Sequence, residues 1–562
     1  MGLFFTLLAL VVTLGLTWRY LGSYMEAVFN GRVHWLGWIE RPIYRMLGTS
    51  PEQEQTWKRY AGAMIVFSFV SLVFTYVILR IQGSLPLNPQ RLPAVGPALS
   101  FNTSVSFLTN TNWQNYGGET TMSYFSQIGA LTVQQFVSPA VGIAVAIAMV
   151  RGFARRKSPT IGNFWVDITR CMFYILLPIA FIFGIIFVGE GAVQTLSGTA
   201  SFTDVLNGAT QTLARGPIGF MEAIKQLGTN GGGFLDQNSA TPFENPTGLT
   251  NFLSIYLLLS IPFALTYTFG KMVGSIKQGA ALLAAMLLIF ATFAAFTINA
   301  EHGQNPAVAA AGIHSTVGNT EGKETRFGDT STALFATAST QTSTGSADAS
   351  YDSFTPDGGL GLLAGMMIGE VTPGGTGSGL YTILIYAIIA VFIGGLMIGR
   401  TPEYLGKKIQ AKEVKLAGLG SLVMPLTVLI FTGIAVSTVA GRAGPLNGGP
   451  HGFSEILYAF TSQGNNNGSA FGGLSGNTPF YNIMGALAML IGRFGIIIPA
   501  LALGGVLAEK DVVPESLGTF RTDNGMFVGL TIGVILIIGG LTFFPAIALG
   551  PIVEQLVHAR FF

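Results

Sequence analysis

Ten runs of about 20 apolar residues constrain this chain more than any other feature, because a helix of that length crosses a bilayer core of roughly 30 Å. They fall at about 3–22, 61–79, 126–150, 171–190, 250–270, 279–299, 380–399, 416–439, 482–506 and 526–550. Backbone polar groups inside lipid must pair within the protein. The expected fold class is therefore an all-α membrane protein with ten transmembrane helices, and membrane lipids are its surroundings. Composition agrees: 10% of the 562 residues are charged, against about 25% in soluble domains. The 74 glycines suit membrane helices that pack closely or break. A net charge of +2 points to no nucleic-acid partner. The one cysteine, Cys171, lies in an apolar run, which excludes an internal disulfide framework and argues against a cysteine metal site.

The basic residues orient the spans. The first run has no positive charge before it, whereas Arg19, Arg32, Arg41 and Arg45 follow; this reads as an anchor rather than a cleaved signal peptide. With the N-terminus outside, the inside connections carry twenty Lys or Arg and the longer outside segments eight, leaving Arg493 within a span. The positive-inside rule then places both termini outside. The connections after the second, fourth, sixth and eighth spans are outside, long, and rich in Gly, Asn, Ser and Thr. The stretch 299–324 reads as an exposed insertion.

A motif recurs in those outside connections. Its fullest form is Gly464-Asn465-Asn466-Asn467-Gly468-Ser469, behind a short helix expected over 452–463. Leu227-Gly228-Thr229-Asn230-Gly231-Gly232-Gly233, Gln341-Thr342-Ser343-Thr344-Gly345-Ser346 and the weaker Leu108-Thr109-Asn110-Thr111-Asn112-Trp113-Gln114 are its imperfect copies. Aligned on Asn112, Gly231, Gly345 and Gly468, the steps are 119, 114 and 123 residues. Thr241-Pro242-Phe243 and Thr478-Pro479-Phe480 each begin ten residues past the aligned glycine. The third copy, Ser353-Phe354-Thr355-Pro356, reads as shifted by a few residues. Repeats of this length are not solenoid units. They predict four helix–pore loop–helix modules around one axis: 61–157, 158–277, 278–415 and 416–511. Residues 1–60 supply the first transmembrane helix and a cytoplasmic loop, and 512–562 the last transmembrane helix.

The chemistry that suits such loops is cation dehydration. In K⁺ channels, backbone carbonyls from four loops replace the ion's water shell. Glycine adopts positive φ, letting successive carbonyls point the same way, a role read for Gly231, Gly345 and Gly468. Asn tolerates that conformation better than most residues, so Asn112 stands in for the first copy. The candidate K⁺ filter is Asn110, Thr111, Asn112, Thr229, Asn230, Gly231, Ser343, Thr344, Gly345, Asn466, Asn467 and Gly468, with Gly232 beside it. The bland alternative is four ordinary Gly/Asn turns outside the membrane.

Two further features bear on mechanism. Arg493 sits within the ninth span, where a cation is costly and faces a polar interior. It is either a structural, snorkelling or ion-paired arginine, or a positive charge below the fourth loop that opposes inward leak. Glu370-Val371-Thr372-Pro373-Gly374-Gly375-Thr376-Gly377-Ser378-Gly379 falls where the second helix of the third module should run, and its Pro and glycines break that helix. Glu370, Gly374, Gly375, Gly377 and Gly379 are gate candidates; the other reading is a helix that starts late behind a glycine-rich loop. The basic stretch Arg400–Lys408 is either topological charge or a docking surface. No phosphate loop, Asp-Lys-Thr-Gly phosphorylation site, metal-binding or nucleophilic constellation is read from the sequence, and the five histidines, His34, His302, His314, His451 and His558, are scattered. The expectation is a non-catalytic subunit without a covalent cofactor, with ATP used by another chain.

These stretches resemble a known family. Asn465–Phe471, Leu227–Phe234 with Pro242-Phe243-Glu244-Asn245-Pro246, Gly399–Lys408, Thr109–Gln114 and Pro450–Glu455 look like the A subunit of the bacterial potassium-transporting ATPase, the Kdp complex. The resemblance covers nearly the whole chain. It implies a fold shared with K⁺ uptake proteins of the Trk/Ktr type and a location in the bacterial inner membrane. It also implies a P-type ATPase catalytic subunit (B), a C subunit and a small F subunit as partners. K⁺ captured outside would pass through a tunnel to the ATPase subunit, Gln114 would affect K⁺ affinity, and the broken third-module helix would divert the ion. A self-sufficient K⁺ channel or ion-coupled symporter of the Trk/Ktr type is the alternative. An organic-solute transporter would call for inverted repeats, whereas these modules all run in one direction.

Overall fold

The structure, a computed structural model, describes residues 2–206, 208–369, 371–397, 399, 401–514 and 520–557. Among them, ten helices are long and apolar enough to cross a membrane: Phe4–Phe29, Trp57–Ser84, Ser126–Ala154, Phe164–Gly189, Gly248–Met272, Ile276–Ala310, Ser378–Met397, Ala411–Ser437, Pro479–Glu509 and Gly525–Val557. Each overlaps one of the ten apolar runs. Most extend further, because a helix does not stop where its apolar side chains do. The first span, for example, carries on to Phe29 around buried Glu26, which ion-pairs with Arg32 and, at 3.1 Å, with Lys271.

Four short helices, Pro97–Leu108, Gly219–Leu227, Gly328–Gln341 and Gly449–Gly464, each lie between an even-numbered span and the next. Proline stands in the first turn of the first and fourth, where its missing N–H costs nothing. The third span is almost wholly buried, whereas the first, second and tenth are largely exposed, as lipid-facing helices are. Small residues let the buried spans approach closely. A Cβ on Gly22 of the first span would lie 2.7 Å from the Ala264 carbonyl oxygen of the fifth.

The third module departs from a simple helix–loop–helix plan. A helix Pro356–Met367 precedes the break, and the span resumes at Ser378. The helix is thus interrupted, and the late-start reading does not hold. Thr355 Oγ1 caps the first piece, accepting the Gly358 amide at 3.0 Å. Thr478 caps the ninth span in the same way, at Tyr481. Thr355 stands ten residues past Gly345, the offset of Thr241 and Thr478 in their copies. The third copy is therefore in register, which corrects the expected shift. Thr241 is the one that differs in use: Thr247 caps the fifth span instead.

All the short connections gather at one end of the bundle. Residue Gln55 bridges to Gly162, Lys157 N donates to Lys510 O at 3.2 Å, and Val513 N to Gly406 O at 2.8 Å. Of the basic stretch 400–408, Arg400 lies outside the described residues. Lys407, in a hairpin of Glu403–Tyr404 and Lys407–Lys408, is fully buried. Its ammonium donates to the carbonyls of Gly152 at 2.7 Å, Leu507 at 2.6 Å and Arg155. It thereby satisfies the carbonyls that the third and ninth spans leave open at their C-termini.

At the opposite end the insertion 299–324 is anchored, not simply exposed. Buried Glu301 accepts Lys323 Nζ at 2.5 Å, Asn319 Nδ2 at 2.8 Å and Thr355 Oγ1 at 2.8 Å.

Candidate functional site

Each short helix ends in the same turn. The amide of Thr111 donates to the Ser106 carbonyl at 2.9 Å, Asn230 to Lys225 at 3.0 Å, Thr344 to Ser339 at 2.9 Å, and Asn467 to Ser462 at 2.8 Å. A return of this kind behind a left-handed residue is the Schellman ending of a helix. The left-handed residues are Asn110, Thr229, Ser343 and Asn466, with φ of 67°, 48°, 52° and 54°. None is glycine, although such residues are the rarer choice there. Two residues on, φ is positive again at Asn112 (54°), Gly231 (96°) and Gly468 (99°). Gly345 does not adopt positive φ, contrary to the role read for it.

What Gly345 supplies is proximity. A Cβ on it would sit 2.8 Å from the carbonyl carbon of Gly468. A Cβ on Gly231 would overlap the Gly345 amide, one on Gly468 would overlap the Thr111 carbonyl, and one on Gly232 would come within 3.0 Å of Asn112. The four loops therefore touch in chain order and close a ring. Hydrogen bonds follow the same circuit: Asn110 Nδ2 to Thr229 O at 3.0 Å, Gly345 N to Asn230 O at 3.2 Å, Asn467 Nδ2 to Thr340 O at 2.8 Å, and Asn466 Nδ2 to Thr111 Oγ1 at 3.0 Å.

The ring lies at depth. Asn466 Nδ2 also donates to the Met489 carbonyl at 2.9 Å, ten residues into the span Pro479–Glu509, or about 15 Å along it. Irregular backbone is tolerated there because protein buries it: ten of the twelve candidate filter residues are buried, and Gly345 and Gly468 are half-buried. This replaces the reading of four ordinary surface turns. The C-termini of four helices converge on the ring. Their partial negative charge favours a cation.

Above the ring is a vestibule of about 960 Å³, lined from all four modules by residues such as Gln114, Asn238, Tyr351 and Phe471. Gln114 ties the first loop to the second through reciprocal 3.0 Å bonds with the Gly233 carbonyl and amide. Gln135 Nε2 holds the Gly232 carbonyl at 2.7 Å, and Asn238 Nδ2 the Gly231 carbonyl at 2.7 Å. Behind Asn238 stands a buried charge cluster. Lys225 Nζ donates to Asn238 Oδ1 at 2.8 Å, Ser239 Oγ at 2.9 Å and Glu244 Oε2 at 2.7 Å, and pairs with Glu222. Burial pushes the Glu244 carboxyl up to about 7, against the pull of the Lys225 ammonium.

The interrupted segment of the third module lies directly under the ring. Gly374 N donates to Gln341 O at 2.8 Å, Thr376 N to Thr229 Oγ1 at 3.0 Å, and Thr376 Oγ1 to Gly228 O at 3.0 Å. A Cβ on Gly375 would be 3.3 Å from both Thr229 Oγ1 and the Thr342 carbonyl; one on Gly377 or Gly379 would overlap backbone of Gly142 or Pro373. Glu370 lies outside the described residues. Arg493 is buried and donates to the Ser138 carbonyl at 3.0 Å. A Cβ on Gly142 would come within 3.3 Å of its guanidinium and 2.5 Å of the Thr376 carbonyl. Among the described residues, no carboxylate pairs with it.

The twelve filter candidates, Gly232 and Gln114 thus form one connected site, with the gate candidates that are described and Arg493 beneath it. Asn238, Gln135, Ser138, Thr376 and the Lys225–Glu222–Glu244 cluster were not anticipated. The cluster had a signal in the sequence: two carboxylates and a lysine, as Glu222, Lys225 and Glu244, flank the stretch 226–243, in which Asp236 is the one other charged residue.

Comparison with known proteins supplies the family. The family model described as the potassium-transporting ATPase A subunit matches residues 7–556. A potassium-transporting ATPase potassium-binding subunit from Mesorhizobium japonicum is 54% identical over 98% of this chain and 97% of its own length. One from Methylobacterium nodulans is 55% identical over 96% of this chain and 95% of its own. Among solved structures, the potassium transporter TrkH from Vibrio parahaemolyticus superposes with a TM-score of 0.52 at 16% identity, covering 78% of this chain and 84% of that one. That likeness is one of fold.

Proposed function

This chain belongs to the family of potassium-transporting ATPase A subunits, and from that premise we propose that it is the K⁺-binding subunit of an ATP-driven uptake complex. K⁺ enters the vestibule from outside, sheds its water at the ring of four loops, and passes to a P-type ATPase subunit. The observation that carries this reading is the ring itself. Four helix C-termini meet at membrane depth, each followed by the same left-handed turn.

The chain's own groups divide the work. Carbonyls of the four loops replace the hydration shell, and the asymmetric ties from Gln114, Gln135 and Asn238 hold them in place. The segment 371–377 occupies the path beneath the ring, where it blocks direct passage and diverts the ion. The Arg493 guanidinium adds a positive charge near that plug, which repels a second K⁺. We take 61–157, 158–277, 278–415 and 416–511 as the four pore modules. ATP is used by the catalytic B subunit, and C and small F subunits complete the assembly. The chain sits in the bacterial inner membrane with both termini outside, in keeping with its charge bias. The reading as a self-sufficient channel or symporter has only the shared fold with TrkH in its favour.

Equilibrium K⁺ binding to the purified chain, in competition with Na⁺, tests the proposal. Selective binding that Gly231→Val abolishes is expected; equal affinity for Na⁺, or no effect of the substitution, refutes it.

A further inference from the structure

Away from the ring, at the outer end of the fourth pore helix, four titratable side chains meet. His451 and Glu455 stand one turn apart on Gly449–Gly464. Asp352 comes from the loop after the third filter segment, and Glu554 from the end of the tenth span. A ring nitrogen of His451 and one carboxylate oxygen each of Asp352 and Glu455 lie within 4.8 Å of one another. His451 Nε2 is 3.2 Å from Asp352 Oδ1, while its Nδ1 is 2.8 Å from Glu554 Oε1.

Glu455 is the telling member. It is fully buried. Its Oε1 accepts Asn447 Nδ2 at 2.8 Å, but its Oε2 has no hydrogen-bond partner among the described residues. An unpaired buried carboxylate oxygen is costly, and a bound cation would relieve that cost. A cavity of about 10 Å³, about one water-sized sphere, lies against Asp352, His451 and Glu554, with Glu455 outside its lining.

We propose that His451 Nε2, Asp352 and Glu455 bind a divalent transition cation, for which Zn²⁺ is the best match. An imidazole nitrogen with two carboxylates favours transition metals over Mg²⁺ or K⁺, which take oxygen alone. Glu554 supplies the outer partner that orients a metal-bound histidine: Nδ1–H donates to its carboxylate, leaving Nε2 for the ion. The ring of His451 is further fixed by stacking on Phe471, 6.0 Å between centroids and 12° from parallel. Zn–ligand bonds of about 2.1 Å place tetrahedral ligands roughly 3.4 Å apart, so side-chain rotations of about an ångström close the site. A water completes the coordination, and the proton that Nε2 shares with Asp352 is released to solvent as the ion binds. Bound there, the ion would join the third module, the fourth pore helix and the last span behind the Phe471 wall of the vestibule.

The test is Zn²⁺ titration of the chain, purified from its membrane with its native partners, by calorimetry and metal analysis. Glu455→Gln and Asp352→Asn serve as variants, and K⁺ binding is read in parallel as the measure of folding. The proposal expects one equivalent of Zn²⁺ per chain above the count in either variant. It also expects affinity weakened more than about 100-fold in both variants, and about 10- to 100-fold in Glu554→Gln, with K⁺ binding retained. Absence of Zn²⁺ binding to the unaltered chain, or undiminished affinity in both Glu455→Gln and Asp352→Asn, overturns it.

Discussion

Gly468 and Gly472 are four residues apart and make opposite demands. Gly468 has φ of 99° and no room for a Cβ, while nothing lies within 4 Å of the Cβ position of Gly472. Gly468→Ala strains the backbone by about 1–2 kcal/mol and pushes on the Thr111 carbonyl. K⁺ affinity should fall by about tenfold or more, while Gly472→Ala leaves it unchanged; equilibrium binding on the two variants measures both. Glu244 makes a second case. Its folded-state pKa is raised, so its share of stability is full below the ordinary carboxylate range and is lost as pH rises through about 7. The thermal midpoint should therefore increase as pH is lowered from about 8 to 5 through this group, and Glu244→Gln should flatten that part of the profile. Sequence reading reached Gly231 and Gly468 because glycine advertises positive φ. It missed the left-handed Asn110, Thr229, Ser343 and Asn466 as a set, because what holds them there is the return bond into each pore helix. Gly345 has no positive φ; its use is contact with Gly468, a partner 123 residues away.

Helices and their breaks were more legible than their contacts. All ten spans followed from apolar length alone, and the repeat steps of 119, 114 and 123 residues relate the four structurally equivalent turns. Pro373 and its neighbouring glycines announced a broken helix. That the helix forms on both sides of the break depends on the Thr355 cap, which stands ten residues past Gly345 and so in register with Thr241 and Thr478. That the break lies under the ring depends on Thr376, which pairs with residues nearly 150 positions earlier. Thr376→Val keeps the shape but removes hydroxyl bonds worth about 1 kcal/mol each. It should loosen the segment and raise passive Rb⁺ flux in liposomes several-fold without unfolding the chain. Arg493→Met removes a buried charge that no described carboxylate balances. Stability should hold or rise, while passive Rb⁺ flux increases; unchanged flux would make Arg493 a purely structural group.

At the scale of the whole molecule, the proposed orientation rests on charge bias and the proposed function on the ring. Cys171 is the sole cysteine and is buried, so single cysteines can be introduced without removing it. Val205→Cys, in the hairpin that follows the fourth span and almost fully exposed, should react with a membrane-impermeant maleimide on intact cells if the proposed orientation holds. Lys157→Cys should react only after lysis, and the reverse pattern would invert the topology. The ring could be foreseen as four related loops, but its closure in chain order, at depth and with unequal ties, is a tertiary fact that no local sequence pattern encodes. The most direct test is anomalous diffraction from crystals of the complex soaked in Tl⁺ as a K⁺ substitute. Tl⁺ density is expected on the axis enclosed by Asn110–Asn112, Thr229–Gly231, Ser343–Gly345 and Asn466–Gly468, and should disappear in Gly231→Val. An ordered Tl⁺ elsewhere in the chain, with none at the ring, would contradict the assignment.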